Sequence, residues 1–243
     1  NHIVAREKYR KVLELDPKHG GARWNIGLLC LTQGDYETGL ELYENRFNNE
    51  DFRGVYSQKP PFELWTGQPS GVVTKILVLH EQGLGDTIQF SRFLRAMGDR
   101  GVEITVLAPK PLHRLLATIP GVTRVAAEID LSQKQDFYCH IMSLAKIFNT
   151  RIGSIAYCDQ PYLFADNDLV KEWRSIVSPV TDQPAVGLMW SGGSASKIIG
   201  RSMTLADLEQ VLLPNIDFVS LQKDLTEADI ATLKRLERVR HFG

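Results

Sequence analysis

Apolar side chains recur along the chain at two different spacings. Over roughly residues 1–47 they fall three and four apart, as on helices that bury one face. Gly34-Asp35 marks a turn between two such stretches. From residue 75 the rhythm changes to short apolar runs separated by amphipathic stretches, the alternation of an α/β domain with a parallel sheet. Residues 75–80, Lys-Ile-Leu-Val-Leu-His, form a continuous apolar run, as in strands buried on both faces. A helix should follow with Ile88, Phe90, Phe93, Leu94 and Met97 on one broad face, closed by Gly101. Strands are expected at 102–107, 122–126 and 136–140, with helices at 111–119 and 144–148, and a further helix through Glu172-Trp173-Arg174. The alternation restarts at 185–190 and continues with a helix over 205–213 and a strand over 217–221. Between the two regimes, residues 48–73 carry breakers at Lys59-Pro60-Pro61 and Gly67-Gln68-Pro69. Phe62, Leu64 and Trp65 are too apolar for a free tether, so this segment reads as a connector packed on the domain that follows.

Composition narrows the classes. Of 243 residues 43% are hydrophobic, and 28 basic side chains nearly balance 29 acidic ones, leaving a net charge of -1. That is a globular composition with no electrostatic footprint for nucleic acid. The apolar run at 75–80 is far short of the ~20 residues that span a bilayer, so no membrane span is expected. Cys30, Cys139 and Cys158 are odd in number and widely spaced, which excludes a disulfide framework and points to a reducing, cytoplasmic compartment.

Two glycine-containing loops follow strands. In Glu81-Gln82-Gly83-Leu84-Gly85-Asp86 the third glycine of a dinucleotide fingerprint is replaced by Ile88. The second strand also ends in Leu107-Ala108-Pro109, without the acid that would hold a ribose. An NAD site is therefore disfavoured. Asp86 at the start of a helix has two readings, a helix cap or an ionised catalytic base. The second loop, Trp190-Ser191-Gly192-Gly193-Ser194-Ala195-Ser196, fails as a phosphate-binding Walker loop. Gly200-Arg201-Ser202 has arginine for lysine, and Ala195 stands where a glycine is needed. It also fails as a nucleophile elbow, since Met189 precedes Ser191 by two. Backbone amides of such a loop can form a nest for an anion, with Lys197 and Arg201 adding charge and Thr204 and Asp207 starting a helix beyond. A diphosphate suits that setting, against the alternative of a plain surface loop. His80 reads as a packed strand-end residue. His140, with Ser143 at the end of the fourth strand, lies where open α/β sheets bind ligands, set against a structural role, and His241 carries no interpretation.

Two resemblances add to this reading. Ala5, Tyr9, Val12 and Pro17 have the small–aromatic–small–proline order of the second helix of a tetratricopeptide repeat. One ~34-residue period later the same slots hold Gly39, Tyr43, Arg46 and Asp51, with Arg46 and Asp51 as weak matches. The resemblance implies that Tyr9 and Tyr43 are buried between antiparallel helices and that further repeats precede Asn1. The ordered set of residues 39–47, Trp65-Thr66-Gly67, residues 81–89, Arg201-Ser202 and residues 220–223 resembles bacterial proteins in which such repeats are fused to a heptosyltransferase-like (family 9) glycosyltransferase. What this implies is an α/β fold of the GT-B type: a helical hairpin (1–50), a connector (51–73), an N-terminal Rossmann-like acceptor domain (74–182), and the start of a C-terminal nucleotide-sugar domain (183–243), expected to be truncated. It further implies an inverting transfer from a nucleotide-diphosphate sugar to a glycan, lipid or protein acceptor, with no metal cofactor and with the repeats binding a protein partner. Asp86 would be the catalytic base. Glu81, Gln82, Gly83, Gly85 and Gln89 would form the acceptor loop. Ser191, Gly192, Lys197, Arg201, Gln222 and Lys223 would bind the donor. The family's later donor-site segment would follow residue 243. The rival reading is a non-catalytic repeat scaffold with a degenerate transferase domain.

Overall fold

The computed structural model describes residues 1–52, 59–68, 74–177, 182–192, 202–236 and 238–242. By its contacts the chain divides into two compact units, Asn1–Asp166 and Asn167–Gly243.

The first unit opens with three helices, α1 (His2–Leu15), α2 (Gly20–Thr32) and α3 (Tyr36–Tyr43). Each starts on a side-chain cap: Asn1 accepts from Ile3, His19 from Ala22, and Asp35 from Thr38. Gly34 has the positive φ of +81° that the tight turn into α3 requires. Short 3-10 turns at Glu44–Asn48 and Glu50–Phe52 follow α3. Tyr43 is buried, as expected for its slot, whereas Tyr9 is only half-buried.

Five parallel strands then form one sheet: β1 (Glu63–Leu64), β2 (Lys75–Leu79), β3 (Glu103–Leu107), β4 (Val122–Ala126) and β5 (Phe137–His140), in the order β1-β5-β2-β3-β4. The connector thus supplies an edge strand, and Trp65 beside it is buried. The predicted helix after β2 is α4 (Leu84–Phe90) and α5 (Arg92–Gly98), joined at buried Ser91, whose hydroxyl donates to the Ile88 carbonyl at 2.8 Å. Gly101 closes it with φ +77°. Two short helices, α6 (His113–Leu116) and α7 (Leu144–Ile147), complete the unit.

Alternation along the central strands sorts the core. Ile76, Val78, Ile104, Val106 and Cys139 are fully buried in one cluster with Phe93, Leu94 and Met97 of α5, Leu116 of α6 and Leu144 of α7. Leu40 and Tyr43 of α3 join the same cluster, so the helical hairpin shares the core of the sheet. Leu77, Leu79 and Tyr138 form a smaller cluster with Phe62 and Leu107.

The second unit contains α8 (Asn167–Val177), β6 (Ala185–Leu188), α9 (Leu205–Leu208), β7 (Asp217–Ser220), α10 (Glu227–Arg235) and β8 (Val239–Arg240). Its three strands are parallel in the order β6-β7-β8. Helix α8 belongs here by contact: the Val177 carbonyl accepts from Arg240, and the Trp173 ring meets Phe242 edge-on at 6.3 Å. The helix expected over 205–213 is shorter, because α9 passes into a 3-10 turn at Glu209–Val211. Both units are therefore mixed α/β with parallel, Rossmann-like sheets. Among the described residues no helix is long and apolar enough to cross a membrane.

Candidate functional site

In the five-stranded sheet the chain runs outward from β2 to β3 and β4, then returns to place β5 on the other side of β2. The order reverses between β2 and β5, and the crevice beyond the carboxyl ends at such a point is where open α/β sheets bind ligands. The segments that leave those two strand ends are 80–86 and 141–143.

Their geometry is set by a buried ion pair. Glu81 is 2% exposed and Arg46, from the turn after α3, is 0% exposed. The guanidinium grips the carboxylate with both sides of its fork, Nε to Oε2 at 2.8 Å and Nη2 to Oε1 at 3.0 Å. The backbone N–H of Met142 donates to the same Oε1 at 3.1 Å. Arg46 Nη2 also reaches Ser143 Oγ at 2.7 Å, and Nη1 reaches Glu44 Oε1 at 2.5 Å. The Ser143 hydroxyl donates in turn to Glu44, 3.0 Å from Oε2. The Phe47 and Tyr43 rings face the guanidinium, with centroids 4.1 and 4.9 Å from Cζ. Burial alone would lower the Arg46 pKa, but hydrogen bonds and charge from Glu81 and Glu44 reverse it and hold the group above its usual range. Three segments remote in sequence are thereby tied at the end of the sheet.

The loop itself is short and partly strained. Gln82 takes a positive φ of +58°, unusual for a residue with a side chain. Its amide nitrogen donates to the Tyr43 hydroxyl at 2.7 Å. Gly83 is the cap of α4, and its N–H donates to Oδ2 of Asp86, the third residue of the helix, at 3.0 Å. Asp86 is half-buried, and among the described residues its other carboxylate oxygen accepts no hydrogen bond. A Cβ built on Gly85 would meet nothing within 4 Å, so the space over this turn is open. One carboxylate oxygen thus caps the helix while the other can accept a proton or a hydroxyl hydrogen. Gln89, expected beside this loop, lies on α4 one turn after Asp86 and lines a cavity of about 470 Å³ with Leu28, Leu40, Arg92 and Phe93.

The two strand-end histidines, His80 and His140, are shaped by burial. His140 stacks near the Phe47 ring at 4.8 Å with Nδ1 3.9 Å from Glu81 Oε1. Burial pushes its pKa down to about 4, although Glu81 pulls the other way. Burial also lowers the pKa of His80.

In the second unit the expected donor loop leaves β6. Gln222, 4% exposed beyond β7, accepts from the backbone N–H of Trp190 at 3.3 Å and of Ser191 at 3.1 Å. Its own amide donates to the Asp224 carbonyl at 3.2 Å. Gln222 is therefore a strap between two strand ends, and it takes two of the amides that a nest would offer an anion. The Gly192 N–H meets Ser202 Oγ at 3.3 Å, and Lys223 is exposed. Lys197 and Arg201 lie outside the described residues.

The chain is similar to protein FlbA of Caulobacter vibrioides. The two are 26% identical over 230 residues, covering 85% of this chain and 37% of FlbA. The chain therefore spans little more than a third of the length of the curated relative that it matches. No family model and no solved structure matches it.

Sequence reading placed Glu81 and Ser191 in loops that follow strands and Asp86 at a helix start. Glu81 lies two residues beyond β2, Asp86 in the first turn of α4, and Ser191 three residues beyond β6, which ends at Leu188 rather than Trp190. It missed Arg46 as the partner of Glu81. The signal was present in the repeat pattern, because Arg46 occupies a slot that wants a small side chain. Asp229 was missed too. Only 3% exposed, it accepts from Trp190 Nε1 and the Leu205 N–H, both at 3.1 Å, and from the Thr226 hydroxyl at 2.6 Å.

Proposed function

We propose that this chain is part of an inverting glycosyltransferase of the heptosyltransferase-like GT-B class, carrying a tetratricopeptide-type helical hairpin. The observation that carries the reading is the placement of the Gly83–Asp86 turn beyond the end of β2, where the strand order reverses. A half-buried carboxylate with one oxygen left over suits a base that takes a proton from an acceptor hydroxyl as the sugar transfers. The departing nucleoside diphosphate would be stabilised by donors of the second unit, with Arg201 and Lys197 as the cations and the exposed Lys223 beyond β7. The acceptor is a glycan, lipid or protein hydroxyl, and the hairpin binds a protein partner.

The scaffold reading has an observation in its favour: Gln222 occupies the amides of Trp190 and Ser191. The two readings separate on binding. The intact protein, titrated with a panel of nucleotide-diphosphate sugars and assayed for slow hydrolysis, should bind and turn over at least one. Complete inertness across the panel would favour the scaffold.

A further inference from the structure

We propose that Arg46 is a positioning residue through which the helical hairpin sets the conformation of the loop that carries Asp86. Two anchors run from the hairpin into this loop. Arg46 holds Glu81 at its first residue, and Tyr43 accepts from Gln82 at its second. Gly83 and Gly85 have no side chains and Leu84 is exposed, so the middle of the loop offers little to hold. Gln82 sits at φ +58°, a conformation that relaxes unless its surroundings fix it. The neighbouring Gly83 N–H then meets the Asp86 carboxylate. Position therefore passes from Arg46 and Tyr43, through Glu81 and Gln82, to the orientation of Asp86.

A buried ion pair is a poor source of net stability, since taking both charges from water offsets most of their attraction. A bidentate fork does fix geometry, because both donors must align with one carboxylate. The Arg46 side chain also bonds Ser143 beyond β5, so the hairpin registers both strand ends at the reversal of the sheet. The hairpin is thus a structural wall of the candidate site.

The proposal deepens the transferase reading and depends on it only for the kinetic part of its test. Arg46→Lys keeps the charge but cannot form the fork, and Tyr43→Phe removes only the hydroxyl, which accepts from Gln82 and donates to Met142 Sδ at 3.5 Å. In the intact protein, amide hydrogen exchange at residues 82–86 should quicken ~10-fold or more in each variant, with β2 and β3 exchanging as in the wild type. Where sugar transfer is measured, kcat should fall ~10-fold with KM within ~2-fold. Loop exchange unchanged in both variants would overturn the proposal, as would loosening of β2 and β3 to the same extent as the loop. Should Arg46→Lys not fold, Tyr43→Phe alone decides by the same exchange criterion. Loop exchange that quickens as expected in a protein inert toward every nucleotide sugar would refute the transferase reading and leave the positioning role standing.

Discussion

Asp229 gathers the indole of Trp190, the start of α9 and the cap of α10 onto one carboxylate. Burial would raise its pKa, but the bonds from Thr226, Leu205 and Trp190 win and lower it. Asp229→Asn turns an amide N–H toward some of these donors. It should destabilise the second unit by ~2–4 kcal/mol in urea unfolding, and a loss under half that would mean the donors find other partners. His140 gives a pH signature of opposite origin. With a folded pKa of about 4 against an ordinary 6.5, it stays neutral in the fold while the unfolded chain takes up a proton. Stability contributed by this residue is complete above pH 6.5 and declines as pH falls toward 4, by on the order of 1–3 kcal/mol. His140→Gln should flatten the slope of unfolding free energy over that window, and an unchanged slope would show that other groups set it. Single residues were legible where their neighbours in sequence define them, as for Asp86 at the head of α4. The Arg46–Glu81 pair was not, because 35 positions separate its members and only the fold brings them together.

Helices α2 and α3 approach through glycines. A Cβ on Gly27 would lie 2.9 Å from the Tyr43 backbone nitrogen and 3.1 Å from the Gly39 carbonyl oxygen. One on Gly39 would lie 2.8 Å from Leu31 Cγ. Two effects of Gly27→Ala compete. Helix propensity favours alanine by ~0.5–1 kcal/mol, whereas forcing backbone apart in a packed pair costs ~1–3 kcal/mol. Because the obstructing atoms are backbone, the clash should win, and thermal unfolding should show net destabilisation. A neutral or stabilised variant would contradict the close packing on which the repeat-like reading of the hairpin rests. Elements with a long apolar period were predictable: β2, β3, β4 and β5 fall within a residue of their expected bounds. The two-residue strands β1 and β8 have no periodicity to detect. They exist because β5 and β7 leave an edge for them to pair with.

The two α/β units each have their own apolar cluster, one drawn from residues 40–145 and one from residues 190–239. The restart of strand–loop–helix order predicted two units. The reversal of strand order at β2 was not legible, since a return crossover leaves no local mark in the sequence. It is this reversal that makes the turn at Asp86 a candidate site rather than one helix start among several. The central claim is that the Asp86 carboxylate removes a proton during sugar transfer, and one substitution isolates it. Asp86 is the third residue of α4 and accepts from the N–H of Gly83 at the cap, which an asparagine Oδ1 can also do. Only the first-turn charge is lost, worth ~0.3–1 kcal/mol, so Asp86→Asn should leave that bond and the unfolding midpoint of the intact protein nearly unchanged. Without a base, its rate of sugar transfer should fall ~100-fold or more. Transfer at the wild-type rate in a protein of wild-type stability would show that Asp86 is a helix cap and that the catalytic account is wrong.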